Sequence, residues 1–212
     1  MHVAALHSVH GLLHLAHADR HRRTYRRIQD HEANHTTEHA VGIVVLIVAA
    51  FEAWVNEILA DRGRHEAIGE ADNRPTLELA ARDLRSKVVA LLQAGSDPSE
   101  EISTAFNLLM TLRNEFTHGF PRWWEGRNRP GWADRLEALN LLGHPDEGDD
   151  YPWSHQYTTY RVAWWACCTV EEEGRRIGAA LGGLHKSMAA NFGGFRQYAP
   201  APDALGPWGT TE

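Results

Sequence analysis

The sequence predicts an all-α fold: a bundle of four to five principal helices with a Trp/Arg-rich loop and a C-terminal tail. Three observations predict it. Apolar residues recur at spacings of three and four along nearly every segment, while strand-like alternation is scarce. Capping residues, prolines and glycines fall where such segments begin and end. The chain has 212 residues and 23.8 kDa, with 43% hydrophobic and 23% charged residues. That composition suits a folded domain and excludes a fibrous or wholly disordered chain.

The first helix is expected from about Val3 to Asp30, with Leu6, Val9, Leu13 and Ala16 at helical spacing. A second begins near Asn34 to Thr37, where polar side chains can cap free amides, and runs to about Leu59. Its centre, Ile43 to Val48, is rich in β-branched residues and in isolation resembles a buried strand. Continuity with AAFEAWVNEIL, a run of good helix formers, assigns it to helix. Apolar all round, this helix belongs in the middle of the bundle. Pro75 starts a third helix that ends near Gly95. In the fourth, Asp97 caps, Pro98 takes the first helical position, Glu100 completes a capping box, and Gly119 with Pro121 stops the helix. The loop PRWWEGRNRPGW leads to a short helix around Ala133 to Leu142, and a last long helix spans about Ser154 to Leu181. Residues 1–183 form one domain with its core in 36–121, and 184–212 form a Gly/Pro-rich tail.

A net charge of −7, histidines neutral, excludes a protein that coats polyanions with its whole surface. Contact with nucleic acid has to come from a local basic patch. The two cysteines, Cys167 and Cys168, are adjacent. Neighbours rarely reach disulfide geometry, so a reducing compartment is expected. The segment MHVAALHSVHGLLHLAHADR has no leading positive cluster and carries histidines among its apolar positions, unlike a secretory signal. The longest apolar run, Ala40 to Phe51, has 12 residues, against ~20 for a membrane span. The expectation is a soluble, cytoplasmic protein without a membrane partner.

Chemistry concentrates in Leu112-Arg113-Asn114-Glu115-Phe116-Thr117-His118-Gly119. On a helical wheel Ala105, Phe106, Leu109, Leu112 and Phe116 form a stripe about 100° wide, and Arg113 lies within it. A permanently charged guanidinium on an apolar face needs an anion nearby. Asn114 and His118 share the neighbouring face. Glu52 poses the matching problem, because it interrupts the apolar second helix among Val45, Val48, Val55 and Leu59, with Asn56 one turn on. Two readings stay open: a structural Arg113–Glu52 ion pair, or an Arg113 phosphate clamp that Glu52 orients.

Arg-Asn, three further residues and His, near the end of a helix in an all-α bundle, resembles the signature of the HEPN superfamily. In that signature a polar residue directly follows the arginine, and four to six residues separate it from the histidine. LRNEFTHG matches with four. AAFEAWVNEIL, a core helix bearing one glutamate, is similar to the family's preceding helix. The resemblance covers roughly Thr36 to Pro121. It implies a homodimer whose motifs meet in a cleft, and RNA cleavage without metal or cofactor. It also suggests a toxin of a toxin–antitoxin or phage-defence pair, with an antitoxin or nucleotidyltransferase as partner. Many relatives are instead non-catalytic dimerisation or RNA-binding modules. The residue chemistry suits cleavage: His118 can move protons near neutral pH, Arg113 can hold phosphate oxygens in a fork, and Asn114 can bind the phosphate or fix the imidazole. Arg113 and His118 lie 140° apart on the wheel, which points to a site completed by a two-fold partner.

Three further groups stand out. His7, His10, His14, His17 and His21 recur at chelating spacings, yet no acidic or cysteine ligand joins them; a polar stripe is preferred over a metal site. Arg20, Arg22, Arg23, Arg26 and Arg27 form the densest basic cluster, which suits phosphate contact or a solvated helix end. Arg122, Trp123, Trp124, Arg127, Arg129 and Trp132 interleave cations with rings that can stack unpaired bases, although at least one Trp is expected to plug the bundle end. Trp164, Trp165 and Cys168 are expected to pack.

Overall fold

A computed structural model describes residues 4–16, 39–68, 82–94, 99–118, 130–142 and 157–182, the side chains of 62–68 excepted. These residues form six helices and no strand: α1 (4–16), α2 (His39–Ile68), α3 (Leu84–Gln93), α4 (Thr104–His118), α5 (Gly131–Ala138) and α6 (Tyr160–Ala180). Helix α2 is the organiser. Its largest interface is with α6, and it also packs on α4 and α3, while α6 covers α3 and α4 in turn.

The core follows the apolar spacing. In α1, Leu6, Val9, Leu13 and Ala16 are buried, the four residues the periodicity selects. In α2 the buried set runs Ala40, Ile43, Val44, Ile47, Val48, Ala50, Phe51, Trp54, Val55, Ile58 and Leu59. Phe51 is the hinge of the aromatic core, 5.5 Å from the Trp54 ring and 5.2 Å edge-on to Phe106 of α4. Full burial of such rings contributes about 1.5–3 kcal/mol each.

The structure corrects several boundaries. Helix α2 continues to Ile68 rather than stopping near Leu59, since the ADRGRHEAI stretch contains no proline to end it. Nor is α2 engulfed: Ala49, Asn56 and Ala60 are exposed, so one broad face is buried and the other meets solvent. Within it, His39–Asp61 is, by length and composition, apolar enough to cross a membrane, which the 12-residue estimate missed; just over half of its most apolar stretch is buried in the bundle. Helix α3 begins at Leu84, not Pro75, because Asp83 accepts from Ser86 N and Oγ and so caps it. Helix α4 begins at Thr104, with Ser103 Oγ accepting from Phe106 N in place of the Asp97–Pro98–Glu100 capping box. Glu100 is drawn away to Arg176. Helix α5 ends at Ala138, where Asn140 takes a left-handed φ of 54° and turns the chain. Helix α6 begins at Tyr160, capped by Thr159 Oγ1, rather than at Ser154.

The expected cap among Asn34–Thr37, the residues Pro75, Asp97, Pro98, Gly119 and Pro121, and the 184–212 tail lie outside the described residues.

Candidate active site at the end of helix α4

Helix α4 divides into two faces. Phe106, Leu108, Leu109, Met110 and Leu112 are buried. Opposite them Asn107, Thr111, Asn114 and His118 follow one another at spacings of four, three and four, which aligns them in a single polar stripe. Asn107, Asn114 and His118 are exposed and Thr111 is half-buried. The end of the helix is held from below and from within. The Phe116 ring lies 5.4 Å from Tyr157, and Trp132 meets Tyr157 edge-on at 5.2 Å. Thr117 Oγ1 donates back to the carbonyls of Arg113 and Asn114, engaging acceptors that the helix end leaves open. Burial, with Glu115 nearby, pushes the Tyr157 phenol up to about 12, so this support is neutral at physiological pH. His118 is the last residue of α4.

Arg113 is half-buried. Its Nη1 donates to Asn114 Oδ1 at 3.1 Å, and its Nε is shielded from solvent with no acceptor among the described residues. Among the described residues no carboxylate pairs with it. This overturns the expected Arg113–Glu52 contact in both of its forms, structural pair and oriented clamp. Glu52, with its side chain 39% exposed, stands 4.0 Å from Lys87 Nζ instead, and Lys87 donates to Asn56 Oδ1 at 2.9 Å. The lysine of α3, itself buried, meets the polar side of α2 first.

The internal ion cluster lies elsewhere. Glu173 of α6, fully buried, accepts from Arg176 Nη1 at 3.0 and 3.1 Å. Arg176 Nη2 reaches Glu100 Oε1 at 2.9 Å and the Glu101 carbonyl at 2.7 Å. The glutamates beside Arg176 hold its guanidinium protonated against the opposing effect of burial. Sequence reasoning missed this cluster, because EEEGRR reads as a solvated face. The one available signal was the period: Glu173 falls in line with the buried Val170 and Ile177.

Of the remaining candidates, His7 and His14 are exposed and His10 is half-buried, its ring 6.5 Å from that of His7. Among the described residues no three His, Cys, Asp or Glu side chains gather to hold a metal ion. Trp132 is half-buried and packs against the core. Trp164 is buried, and Trp165 and Cys168 are half-buried against the core. His17, His21, Arg20, Arg22, Arg23, Arg26, Arg27, Arg122, Trp123, Trp124, Arg127 and Arg129 lie outside the described residues.

No protein-family model, curated protein or solved structure matches this chain.

Proposed function

We propose that the protein is a metal-independent endoribonuclease, built like the HEPN enzymes its motif resembles, and that it acts as the toxin of a toxin–antitoxin or phage-defence pair. One observation carries the reading: Arg113 has no carboxylate partner among the described residues, and it sits beside the exposed Asn114 and one and a half turns from the exposed His118. A structural guanidinium is ordinarily consumed by carboxylates, as Arg176 is. A guanidinium kept for a ligand is not.

The chemistry that follows is a transesterification. A ribose 2′-oxygen bonds to the adjacent phosphorus as its proton leaves to a base; the P–O5′ bond breaks and the 5′-oxygen takes a proton. The products are a 2′,3′-cyclic phosphate and a 5′-hydroxyl. His118 transfers a proton, Arg113 stabilises the charge on the non-bridging oxygens, and Asn114 holds Arg113 or the phosphate. The α-helical rise puts Arg113 and His118 about 7.5 Å apart along the axis, so a second copy of α4, related by a two-fold axis, supplies the complementary pair. Free thiols at Cys167 and Cys168 agree with a cytoplasmic location.

The test is cleavage of RNA, and not DNA, by purified protein in chelator. Arg113→Ala and His118→Ala should each abolish it. Cleavage that survives both substitutions, or that needs magnesium, overturns the mechanism.

A further inference from the structure

Helix α3 brings a second arginine to the polar stripe of α4. Arg85 Nη2 donates to the Asn107 carbonyl and to Thr111 Oγ1, both at 3.3 Å. These are long, and they engage a single nitrogen. Its Nε is shielded from solvent and has no acceptor among the described residues. No described carboxylate pairs with it either; the nearest in sequence, Asp83, is committed to Ser86. Arg85 therefore shares the donor pattern of Arg113: one nitrogen on neutral oxygen (two atoms for Arg85, one for Arg113), Nε unmatched, and no counter-charge among the described residues. Arg176, by contrast, has both terminal nitrogens on acceptors and two carboxylates beside it.

The placement matters as much as the pattern. Thr111 precedes Asn114 by three residues and His118 by seven on the same stripe, about 4.5 Å and 10 Å along the axis. A chain laid along this stripe from His118 meets Asn114 and Arg113, and then the guanidinium of Arg85. Two forked cations bordering one exposed polar strip fit an extended polyanion with a repeating charge.

On the strength of the ribonuclease reading, we infer that Arg85 binds a backbone phosphate of single-stranded RNA next to the scissile one, fixing the register of the strand along Asn107, Thr111 and Asn114. Arg85 is a positioning residue and touches no reacting atom.

The experiment is equilibrium binding of a fluorescent, mixed-sequence single-stranded RNA to the His118→Ala protein across a salt series, with and without a change at Arg85. Arg85→Ala should weaken binding about tenfold. The slope of log affinity against log salt should fall by about 0.7, the signature of one phosphate contact on a single strand. Arg85→Lys should keep the slope. Arg85→Gln retains a donor for the Asn107 carbonyl while removing the charge, and should behave as alanine does even if alanine disturbs folding. An unchanged slope in both neutral variants, with RNA still bound by the parent, makes Arg85 a strut between α3 and α4 and leaves the ribonuclease reading standing. A parent protein that binds no RNA overturns both.

Discussion

Arg113 donates to Asn114, its neighbour in the chain, across 3.1 Å. Adjacent residues of a helix point about 100° apart, so the long guanidinium has to bend round the helix to reach the amide. An internal carboxylate would have drawn it elsewhere. With only a neutral partner among the described residues, the arginine contributes little to stability, and its removal should lower the melting temperature by no more than a few degrees. The informative change is Arg113→Lys, which keeps the charge and loses the fork. It should reduce kcat for RNA cleavage about a hundredfold or more while leaving the fold intact. Cleavage at the native rate would show that charge alone suffices.

Glu52 offers the sharper separation. It is partly exposed, and its nearest cation is Lys87 at 4.0 Å, a distance at which a solvated pair stabilises by about 0–1 kcal/mol. Glu52→Gln should therefore unfold within a few degrees of the native protein and retain cleavage within a few-fold. Lys87 is buried, so Lys87→Ala leaves a cavity where its chain packs beside α2, and should cost about 1–3 kcal/mol. If Glu52→Gln abolishes activity without loss of stability, the glutamate reaches the site through a contact other than Lys87.

What was legible in the sequence was whatever depends on local period. The four core residues of α1 come directly from apolar spacing, as do Phe106, Leu109 and Leu112 of α4, whereas the expected Ala105 and Phe116 are half-buried and Leu108 and Met110 are buried in addition. The polar stripe of Asn107, Thr111, Asn114 and His118 follows from the same period, although only its last two members attract notice without a structure. Helix starts were less legible because several residues compete to cap. Asp97–Pro98–Glu100 has all the parts of a capping box, yet Glu100 gains more from a cation than from a backbone amide, and Ser103 caps instead. Pairing between helices was not legible at all. Arg113 and Glu52 were each an interrupted apolar stripe, and matching them was reasonable, but nothing in the spacing reports that Lys87 of α3 stands closer to Glu52. Glu173 illustrates the same blindness in reverse, since a buried carboxylate inside EEEGRR resembles its solvated neighbours.

That carboxylate should prove the most sensitive ionic position among the described residues. Glu173 is wholly buried and meets Arg176, which ties α6 to the segment before α4 through Glu100 and the Glu101 carbonyl. Removing the Glu173 charge leaves Arg176 with Glu100 and the Glu101 carbonyl, so the cost falls on the buried hydrogen bonds, at about 1–3 kcal/mol. Glu173→Gln should lower the chemical denaturation midpoint markedly without changing the slope. Glu172→Gln, one residue earlier and exposed with Arg175, should change neither. Equal effects at the two positions would mean that the burial of Glu173 is not what matters.

His10 provides a pH signature for α1. Burial, and next the neighbouring His7, lower its pKa from 6.5. A depressed folded pKa means that the unfolded chain binds the proton more readily than the folded one does. The contribution to stability is thus fully present above pH 6.5 and is lost as the pH falls through the folded value. The melting temperature should decline on acidification below pH 6.5, and His10→Gln, which cannot be protonated there, should flatten that part of the decline. His14→Gln, at an exposed position of the same helix, controls for the loss of an imidazole from α1. A His10→Gln profile that still tracks the native one through this range would move the acid sensitivity away from His10.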